Sequence, residues 1–540
     1  MEITSPRVLE TIQKWILKVS HTIKFINIVM DTQSNNKRLA KNTLLLYLRM
    51  ILIIAVGLYT SRVVLQTLGV DDYGIYNVVG GIVAMLAFLN SAMTAASQRF
   101  ISFELGIGNL NKLKQVFCTS VTIHLAIAGI ILLLAETIGL WFLNTHMNIA
   151  TDRMEAANWV YQCSILTFIV TVISVPYNAC IVAHERMKAF AYISIIEVIL
   201  KLVIVYLLLI LHTDKLIAYA ILILSVSLII RIIYGIYCKQ HFEECTYQFS
   251  FNKKLFNEMF AFAGWSIIGN LGFSLKDQGS NVILNIFCGT VCNATRGVAL
   301  QVNGIISNFS NNFTMALNPQ ITKQYAAGNI QESIQLVYAG CRYSFYLLSI
   351  ISIPVMVNLD YLLSLWLGTV PPYTTEFLFL ALIAALINSM ATPLSTAMQA
   401  TGKIRNFQII ICIIMLCELP LTYLILKLGY QPYISMVASI IVVTIGLFAR
   451  LLLLKQLVKS YSLRFFVIHI ILRNILIVIG CTSLAFFIHH RYFDKINFIS
   501  FIETSLIAFI LNLTGIYIFG ITSKEKAIVN NKIKEIIKRD

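Results

Sequence analysis

The chain contains an internal repeat, and this repeat limits the fold more than any other feature of the sequence. Residues Pro176 to Leu209 align with Pro393 to Leu426 without a gap. Matched positions include Pro176 with Pro393, Ala183 with Ala400, Arg186 with Lys403, Lys188 with Arg405, Phe190 with Phe407 and Tyr206 with Tyr423. The similarity continues upstream with small gaps, where Gly108-Asn109 matches Gly328-Asn329. An apolar chain that repeats itself on this scale predicts two similar helix bundles in one polypeptide, an arrangement found in many secondary transporters.

The composition places both bundles in a membrane. Of the 540 residues, 58% are hydrophobic and 12% are charged, and the mean hydropathy is +0.79. Apolar stretches of about 20 residues recur along the chain, and each is long enough to cross a bilayer as a helix. No apolar segment near the N-terminus is followed by a small-residue cleavage site, so no cleaved signal is predicted. We therefore predict an all-α polytopic membrane protein.

The sequence predicts about fourteen transmembrane helices. They lie at residues 43–67, 74–98, 115–143, 157–182, 190–212, 215–238, 260–286, 291–317, 334–358, 374–400, 406–427, 432–455, 465–488 and 498–520. The first six form one bundle (43–238) and the next six a second (260–455), joined by a linker (239–259). Because six is an even number, the two bundles are parallel repeats. Two additional helices (456–520) and a basic tail (521–540) follow.

The net charge of +16 reports membrane topology rather than binding of nucleic acid. With the N-terminus inside, the inner segments hold most of the basic residues, including Lys112, Lys114, Arg186, Lys188, Lys253, Lys254, Lys403, Arg405, Lys455, Lys459 and Arg464. The predicted outer loops hold only Arg153, Lys215, Lys427, Arg491 and Lys495. The positive-inside rule then places both termini in the cytoplasm.

Residues 1–42 precede the first predicted span and carry an amphipathic pattern, with Val8, Ile12 and Trp15 on one helical face. This pattern is typical of a helix that lies on the cytoplasmic membrane surface, with its cations near anionic lipid. A start of translation at Met30 is the alternative, and the sequence does not separate the two. Eleven cysteines are scattered along the chain. The closest pair, Cys288 and Cys292, has no further Cys or His nearby, so we predict no metal site.

Spans 7 and 8 are unusually polar. Their polar residues include Asn270 in span 7, and Gln301, Asn308 and Asn312 share one helical face of span 8. Polar groups at membrane depth must meet one another or water, because an unsatisfied group costs several kcal/mol. We expect spans 1, 2, 7 and 8 to surround a hydrated cleft between the bundles. Hydrogen bonding between tightly packed helices is the alternative.

Charged residues inside the predicted spans are mostly cations. Snorkelling to headgroups or a salt bridge one turn away does not readily explain Arg49, Lys276, Arg296 and Arg342, and we predict that they face the central cavity. Structural pairing is the alternative for each of them. A surplus of cations there predicts an anionic substrate that guanidinium groups can bind in a bidentate manner, and a pyrophosphate would fit. Asp277, beside Lys276, is both its best internal partner and a candidate for ion coupling.

Two stretches carry a resemblance to a known family. They are Val64 to Gly81, with the sequence VLQTLGVDDYGIYNVVGG, and Ser97-Gln98-Arg99-Phe100 at the end of span 2. Together with the opening Lys41 to Tyr47, this region resembles the Wzx-type oligosaccharide-lipid flippases of the multidrug/oligosaccharidyl-lipid/polysaccharide exporter (MOP) superfamily. The resemblance covers about residues 35–520.

This resemblance implies a flippase that moves undecaprenyl-pyrophosphate-linked oligosaccharide across the bacterial inner membrane by alternating access. It also implies that cations on the first helix of each half bind the pyrophosphate, and Arg49 and Lys276, with Arg296 nearby, stand at those locations. Membrane lipids and the polymerase or ligase machinery of polysaccharide synthesis are the implied partners, and no cofactor is implied.

Two rival functions are weighed against the flippase. A drug or anionic-metabolite antiporter would have the same fold, although the first span lacks the acidic residue that drug exporters of this superfamily often carry between positions 41 and 71. A membrane glycosyltransferase, polymerase or acyltransferase would need an acid/base or nucleophile cluster at the membrane surface. The acidic residues of the outer loops are dispersed, so no enzyme activity is predicted.

Overall fold

The fold is described from a computed structural model. The described residues are 42–57, 87–146, 149–211, 213–248, 252–367, 370–492, 497–523, 525–527 and 530, together with 59–60, 63–64, 67–69, 72–73, 75–76 and 79. Within these ranges nearly every residue is helical and none lies in a β-strand. The all-α prediction is therefore confirmed. The predicted amphipathic helix of residues 1–42 lies almost wholly outside the described residues, as does most of the tail.

Among the described residues, the first half of the chain contains six helices. They are α1 (Asn42–Gly57), α2 (Ala87–Ile107), α3 (Leu110–Thr145), α4 (Thr151–Ala183), α5 (Met187–Ile210) and α6 (Lys215–His241). Asn109 begins α3 by accepting a hydrogen bond from the Lys112 amide. Asp214 begins α6 in the same way, through the amides of Leu216 and Ile217. These caps satisfy amides that a helix start otherwise leaves without a partner.

The second half begins with the segment Lys253–Ala326, which turns at Gly289. Gly289 has φ 75°, so the segment is two helices, α7 (253–288) and α8 (290–326). The remaining helices are α9 (Ile330–Val357), α10 (Thr374–Ala400), α11 (Arg405–Lys427), α12 (Pro432–Leu457), α13 (Leu463–Tyr492) and α14 (Phe498–Gly520). We call the end of the bundles where α1 and α7 begin the basic end, and the opposite end the far end.

Ten of the described helices are long and apolar enough to cross a membrane. Neither α2 nor the segment Lys253–Ala326 is among them, although both are longer than 18 residues. The structure therefore supports a multi-pass membrane protein. The count of fourteen spans stays a prediction.

Helices α13 and α14 have no counterpart in the repeat and pack against α9. The Asn512 amide donates a hydrogen bond to the Ser349 hydroxyl (3.2 Å), and Thr504 donates to the Asn358 side chain (2.8 Å). All four of these residues are buried. Interhelical hydrogen bonds of this kind replace the hydrophobic driving force that is absent between helices in lipid.

The repeat is visible in the backbone. Gly108 and Gly328, which match in the sequence, have φ angles of 80° and 82° at the basic-end turns after α2 and α8. The turn after α10 uses Gly402 (φ 77°), and the matching turn after α4 uses Glu185 (φ 59°). A non-glycine residue in this left-handed region costs about 1–2 kcal/mol. Contacts of the Glu185 side chain, which glycine could not make, must therefore compensate for this cost.

The two halves meet at the basic end. The Glu185 carboxylate, on the turn between α4 and α5, accepts hydrogen bonds from Lys323 (2.9 Å) and Gln320 (3.1 Å) at the end of α8. In the pseudo-equivalent place, Arg99 of α2 donates to the carbonyl oxygens of Gln399 (3.1 Å) and Ala400 (3.0 Å) at the end of α10. Each half thus binds the fourth-helix turn of the other half, and these contacts close the basic end.

Close approach of α2 to α8 depends on Gly106. A Cβ atom at this position would lie 2.5 Å from the Lys323 carbonyl oxygen and 2.8 Å from the Ala326 Cβ. We expect Gly106→Leu to force the two helices apart and to raise the rate of backbone hydrogen exchange at the ends of α2 and α8. Gly129→Leu on α3 is the matched control, because nothing lies within 4 Å of a Cβ there. Equal exchange in Gly106→Leu and wild type would show that the interface tolerates the side chain.

Candidate functional site

A polar cavity of about 240 Å³ lies within the second half, between α7, α8, α9, α10 and α12. Its polar and charged lining residues are Lys276, Asp277, Arg296, Asn303, Ser307, Ser310, Asn311, Asn388, Ser389, Thr392 and Ser439. The side-chain oxygen of Asn303 is buried and has no hydrogen-bond partner among the described residues. A polar space of this volume holds water or a small part of a substrate, such as a headgroup.

The deepest charged pair in this cavity joins α7 to α11. The Lys276 ammonium lies 3.0 Å from the Glu418 carboxylate, and their side chains are 11% and 2% exposed. Glu418 also accepts hydrogen bonds from the hydroxyls of Ser439 (2.6 Å) and Ser280 (3.4 Å). Both hydroxyls bond to Oε1, and the Lys276 ammonium contacts Oε2. A buried ion pair depends on additional contacts of this kind.

A second pair lies beside the first and uses Asp277, the residue after Lys276 on α7. Arg296 of α8 is buried and donates to the side chain of Asn281, and its guanidinium lies 3.4 Å from the Asp277 carboxylate. Asp277 is also 3.9 Å from Lys276, and its side chain is 55% exposed. The Asp277 carboxylate therefore contacts both buried cations while its side chain remains exposed at the surface of α7.

These four charged groups balance one another. The cations Lys276 and Arg296 face the anions Asp277 and Glu418, so the predicted surplus of cations is absent from this cluster. The role of Glu418 was not predicted from the sequence, because the helix that carries it lies far along the chain from Lys276. The one available signal was the repeat, in which Glu418 stands where the first half has Lys201.

Helix α8 carries two polar faces. Asn303, Ser307 and Asn311 line the cavity. The predicted residues Gln301, Asn308 and Asn312 do not. Asn312 donates to the Met50 sulfur of α1 (3.1 Å), and Gln301 and Asn308 are exposed. This second face is therefore directed toward the first half, where a cleft between the halves was predicted.

Arg49 lies in the first half, seven residues into α1, whereas Lys276 lies 23 residues into α7. The Arg49 guanidinium stacks on the Phe190 ring at 4.4 Å. It also interacts electrostatically with Glu197 of α5, whose carboxylate lies 2.6 Å from Lys201 on the same helix. Arg49 does not line the second-half cavity, and neither does Asn270, which is half-buried six residues before Lys276.

Arg342 lies neither in the second-half cavity nor beside Arg49. Its guanidinium pairs with Glu525, which follows α14, and the same carboxylate accepts a hydrogen bond from Tyr343 (2.5 Å). This corrects the prediction that Arg342 is a cation of the central cavity. Sequence reasoning could not find the partner, because Glu525 comes from the tail and reaches α9 only through the packing of α14.

The comparisons with known proteins bear on this architecture. Residues 39–325, more than half of the chain, match the family model described as "Polysaccharide biosynthesis protein". The chain belongs to this family. A comparison with curated protein sequences finds no match.

Solved structures of MOP superfamily transporters have the same fold as this polysaccharide biosynthesis family member. They include an outward-facing multidrug resistance MATE transporter (12% identity, TM-score 0.65, covering 79% of this chain and 97% of that one). A Vibrio cholerae MATE transporter has 17% identity and a TM-score of 0.65 (80% and 99%). A Pyrococcus furiosus MOP transporter, whose reverse-polarity binding pocket suggests a different function, has 13% identity and a TM-score of 0.63 (78% and 97%). The predicted MATE/MOP-like fold and the resemblance to this superfamily are confirmed.

Proposed function

We propose that this family member is a flippase of the bacterial inner membrane. It translocates undecaprenyl-pyrophosphate-linked oligosaccharide, such as an O-antigen or capsule repeat unit, from the inner to the outer leaflet by alternating access. The basic end faces the cytoplasm in this proposal, with both termini there. Membrane lipids surround the bundles, and the polymerase or ligase that consumes the glycan is the expected downstream partner.

The contact between the halves is the observation that carries the proposal. Glu185, Lys323 and Arg99 hold the halves together at the basic end. The exposed Gln301 and Asn308 lie nearer the far end of α8, on the face directed toward the first half. Two halves that separate at one end and close at the other are the device of alternating access. Membership of a polysaccharide biosynthesis family supports a glycan as cargo.

The charge cluster of the second half supplies groups for an anionic headgroup. Lys276 and Arg296 carry the donors that bind phosphate oxygens, and Asp277 and Glu418 hold them in place until the cargo competes for them. Binding of pyrophosphate by Lys276 and Arg296 belongs to this proposal, together with a similar contact by Arg49 in the first half.

The test is the appearance of lipid-linked oligosaccharide in the outer leaflet of cells that lack their own flippase. We expect wild type to restore transfer, and Arg296→Ala and Lys276→Ala to lose most of it at matched expression. Lys201→Ala is the control, since Lys201 is 46% exposed and its ion pair among the described residues is with Glu197 on its own helix. Failure of wild type with several glycan types would refute the proposed cargo.

A multidrug or anionic-metabolite antiporter is the second candidate, and one observation favours it. Asp277 is an exposed carboxylate in the middle of α7, where it could exchange a proton or a metal cation for a solute. Uptake of dyes and organic anions into inverted vesicles, with a pH gradient imposed, tests this function. Uptake that Asp277→Asn abolishes, in a protein that fails to restore glycan transfer, would select the antiporter.

A further inference from the structure

Three cysteines that are far apart in the sequence meet at the basic end of the first half. They are Cys180 at the end of α4, Cys238 at the end of α6, and Cys245 in the linker that leads to α7. All three are buried. The sulfurs of Cys180 and Cys245 lie within 4.8 Å of each other, and Cys245 interacts electrostatically with both Cys180 and Cys238. The Cys238 thiol donates a hydrogen bond to the Tyr177 carbonyl oxygen (3.5 Å). Three converging sulfur atoms from separate elements are the main requirement of a thiolate metal site.

A buried carboxylate completes the group. One oxygen of Glu244 and the sulfurs of Cys180 and Cys245 all lie within 4.8 Å of one another. In a tetrahedral zinc site with Zn–S bonds of about 2.3 Å, ligand atoms are roughly 3.8 Å apart. The arrangement therefore needs only a small contraction to close around an ion.

The Glu244 carboxylate has a partner near the cluster. Its side chain is 3% exposed, and its Oε1 lies 2.5 Å from Nε2 of His184. A carboxylate buried this deeply needs several favourable contacts, and a divalent cation would add one. His184 stacks on Phe242 (centroids 4.2 Å apart), and this stacking fixes the imidazole. A carboxylate that binds a metal is commonly oriented by a hydrogen bond from such a neighbouring group.

We propose that Cys180, Cys238, Cys245 and Glu244 form a structural zinc site that fastens the linker between the halves to the first half. His184 orients the Glu244 carboxylate. Four protein ligands leave no open position, so the ion is structural rather than catalytic. The thiols would lie on the cytoplasmic side of the membrane, where cysteines stay reduced and such clusters more often bind metal than form disulfides.

The surrounding contacts agree with a fastened linker. The Gln248 amide donates to the Cys118 sulfur of α3 (3.4 Å), and Thr122 bonds to Tyr247 (3.4 Å). Tyr247 and Gln248 of the linker therefore pack on α3 of the first half. Glu185, which joins the halves, directly follows His184 in the chain. An ion here would thus hold the turn that carries Glu185.

The test is the metal content of the full-length protein, purified in detergent under reducing conditions from medium with added zinc. We expect about one zinc ion per chain in wild type, and loss of most of it in Cys245→Ser. Cys163→Ser is the matched control, because Cys163 is equally buried on α4 but lies far from the cluster. Removal of zinc with a chelator should lower the Tm of wild type and of Cys163→Ser, with no effect on Cys245→Ser.

A second measurement needs no variant. Cobalt(II) added to the chelator-treated wild type should produce the intense near-ultraviolet absorption of cobalt–thiolate bonds, and zinc should abolish it. The proposal is overturned if wild type contains no more zinc than Cys245→Ser and cobalt produces no such band. It is also overturned if mass spectrometry of the reduced-purified protein finds these cysteines joined in a disulfide.

Discussion

Replacing Lys276 with methionine is expected to abolish transport and to lower the free energy of unfolding by about 3–5 kcal/mol. The reason is that Glu418, whose side chain is 2% exposed, would lose the ammonium 3.0 Å away. Its remaining partners, Ser439 and Ser280, are neutral hydroxyl groups. Thermal unfolding in detergent measures the loss of stability, and transfer of lipid-linked oligosaccharide measures the loss of function.

A double variant separates the two effects. Lys276→Met combined with Glu418→Leu removes both charges, and replacement of a buried ion pair by apolar groups is often neutral or stabilising. We expect this variant to regain stability without regaining transport. Lys201→Met is the control for the stability measurement, because an exposed pair contributes only about 0–1 kcal/mol. Wild-type transport in the double variant would show that the cargo does not use this cavity.

Replacing Lys323 with glutamine is expected to open the basic end. The substitution removes the cation 2.9 Å from Glu185, whose side chain is 2% exposed. A charged hydrogen bond is worth about 1.5–3 kcal/mol, so the ratio of closed to open protein should fall roughly 10- to 150-fold. Hydrogen exchange should rise at the end of α8 and at the turn between α4 and α5, where mass spectrometry can measure it.

Two further variants test the origin of this effect. Glu185→Gly keeps the left-handed turn, as Gly402 does in the repeat, but lacks the carboxylate. We expect it to open the basic end as Lys323→Gln does, although it relieves the strain at φ 59°. The exchanged pair, Glu185→Lys with Lys323→Glu, should close the end again. If Glu185→Gly exchanges at the wild-type rate, the conformation of the turn holds the halves together and the ion pair does not.

Local patterns in the sequence determined the fold. Three of these patterns depend only on neighbours along the chain and on the surrounding lipid. They are the apolar segments of helical length, the basic residues at one end and the aligned repeat from Pro176 to Leu209. The repeated glycines at Gly108 and Gly328 likewise mark turns that backbone geometry alone requires. These signals therefore predicted the helix bundles, the repeat and the membrane class.

Tertiary packing alone decided the partners of the buried charges. Lys276 and Arg296 were identified as candidates from their own spans, but Glu418 and Asn281 became their partners only when α11 and α8 packed against α7. Arg342 was misplaced for the same reason, since Glu525 reaches it from beyond α14. The cysteine cluster joins residues up to 65 positions apart, which no local spacing reveals. A charge in a membrane interior takes the nearest partner in space, and the sequence orders residues only along the chain.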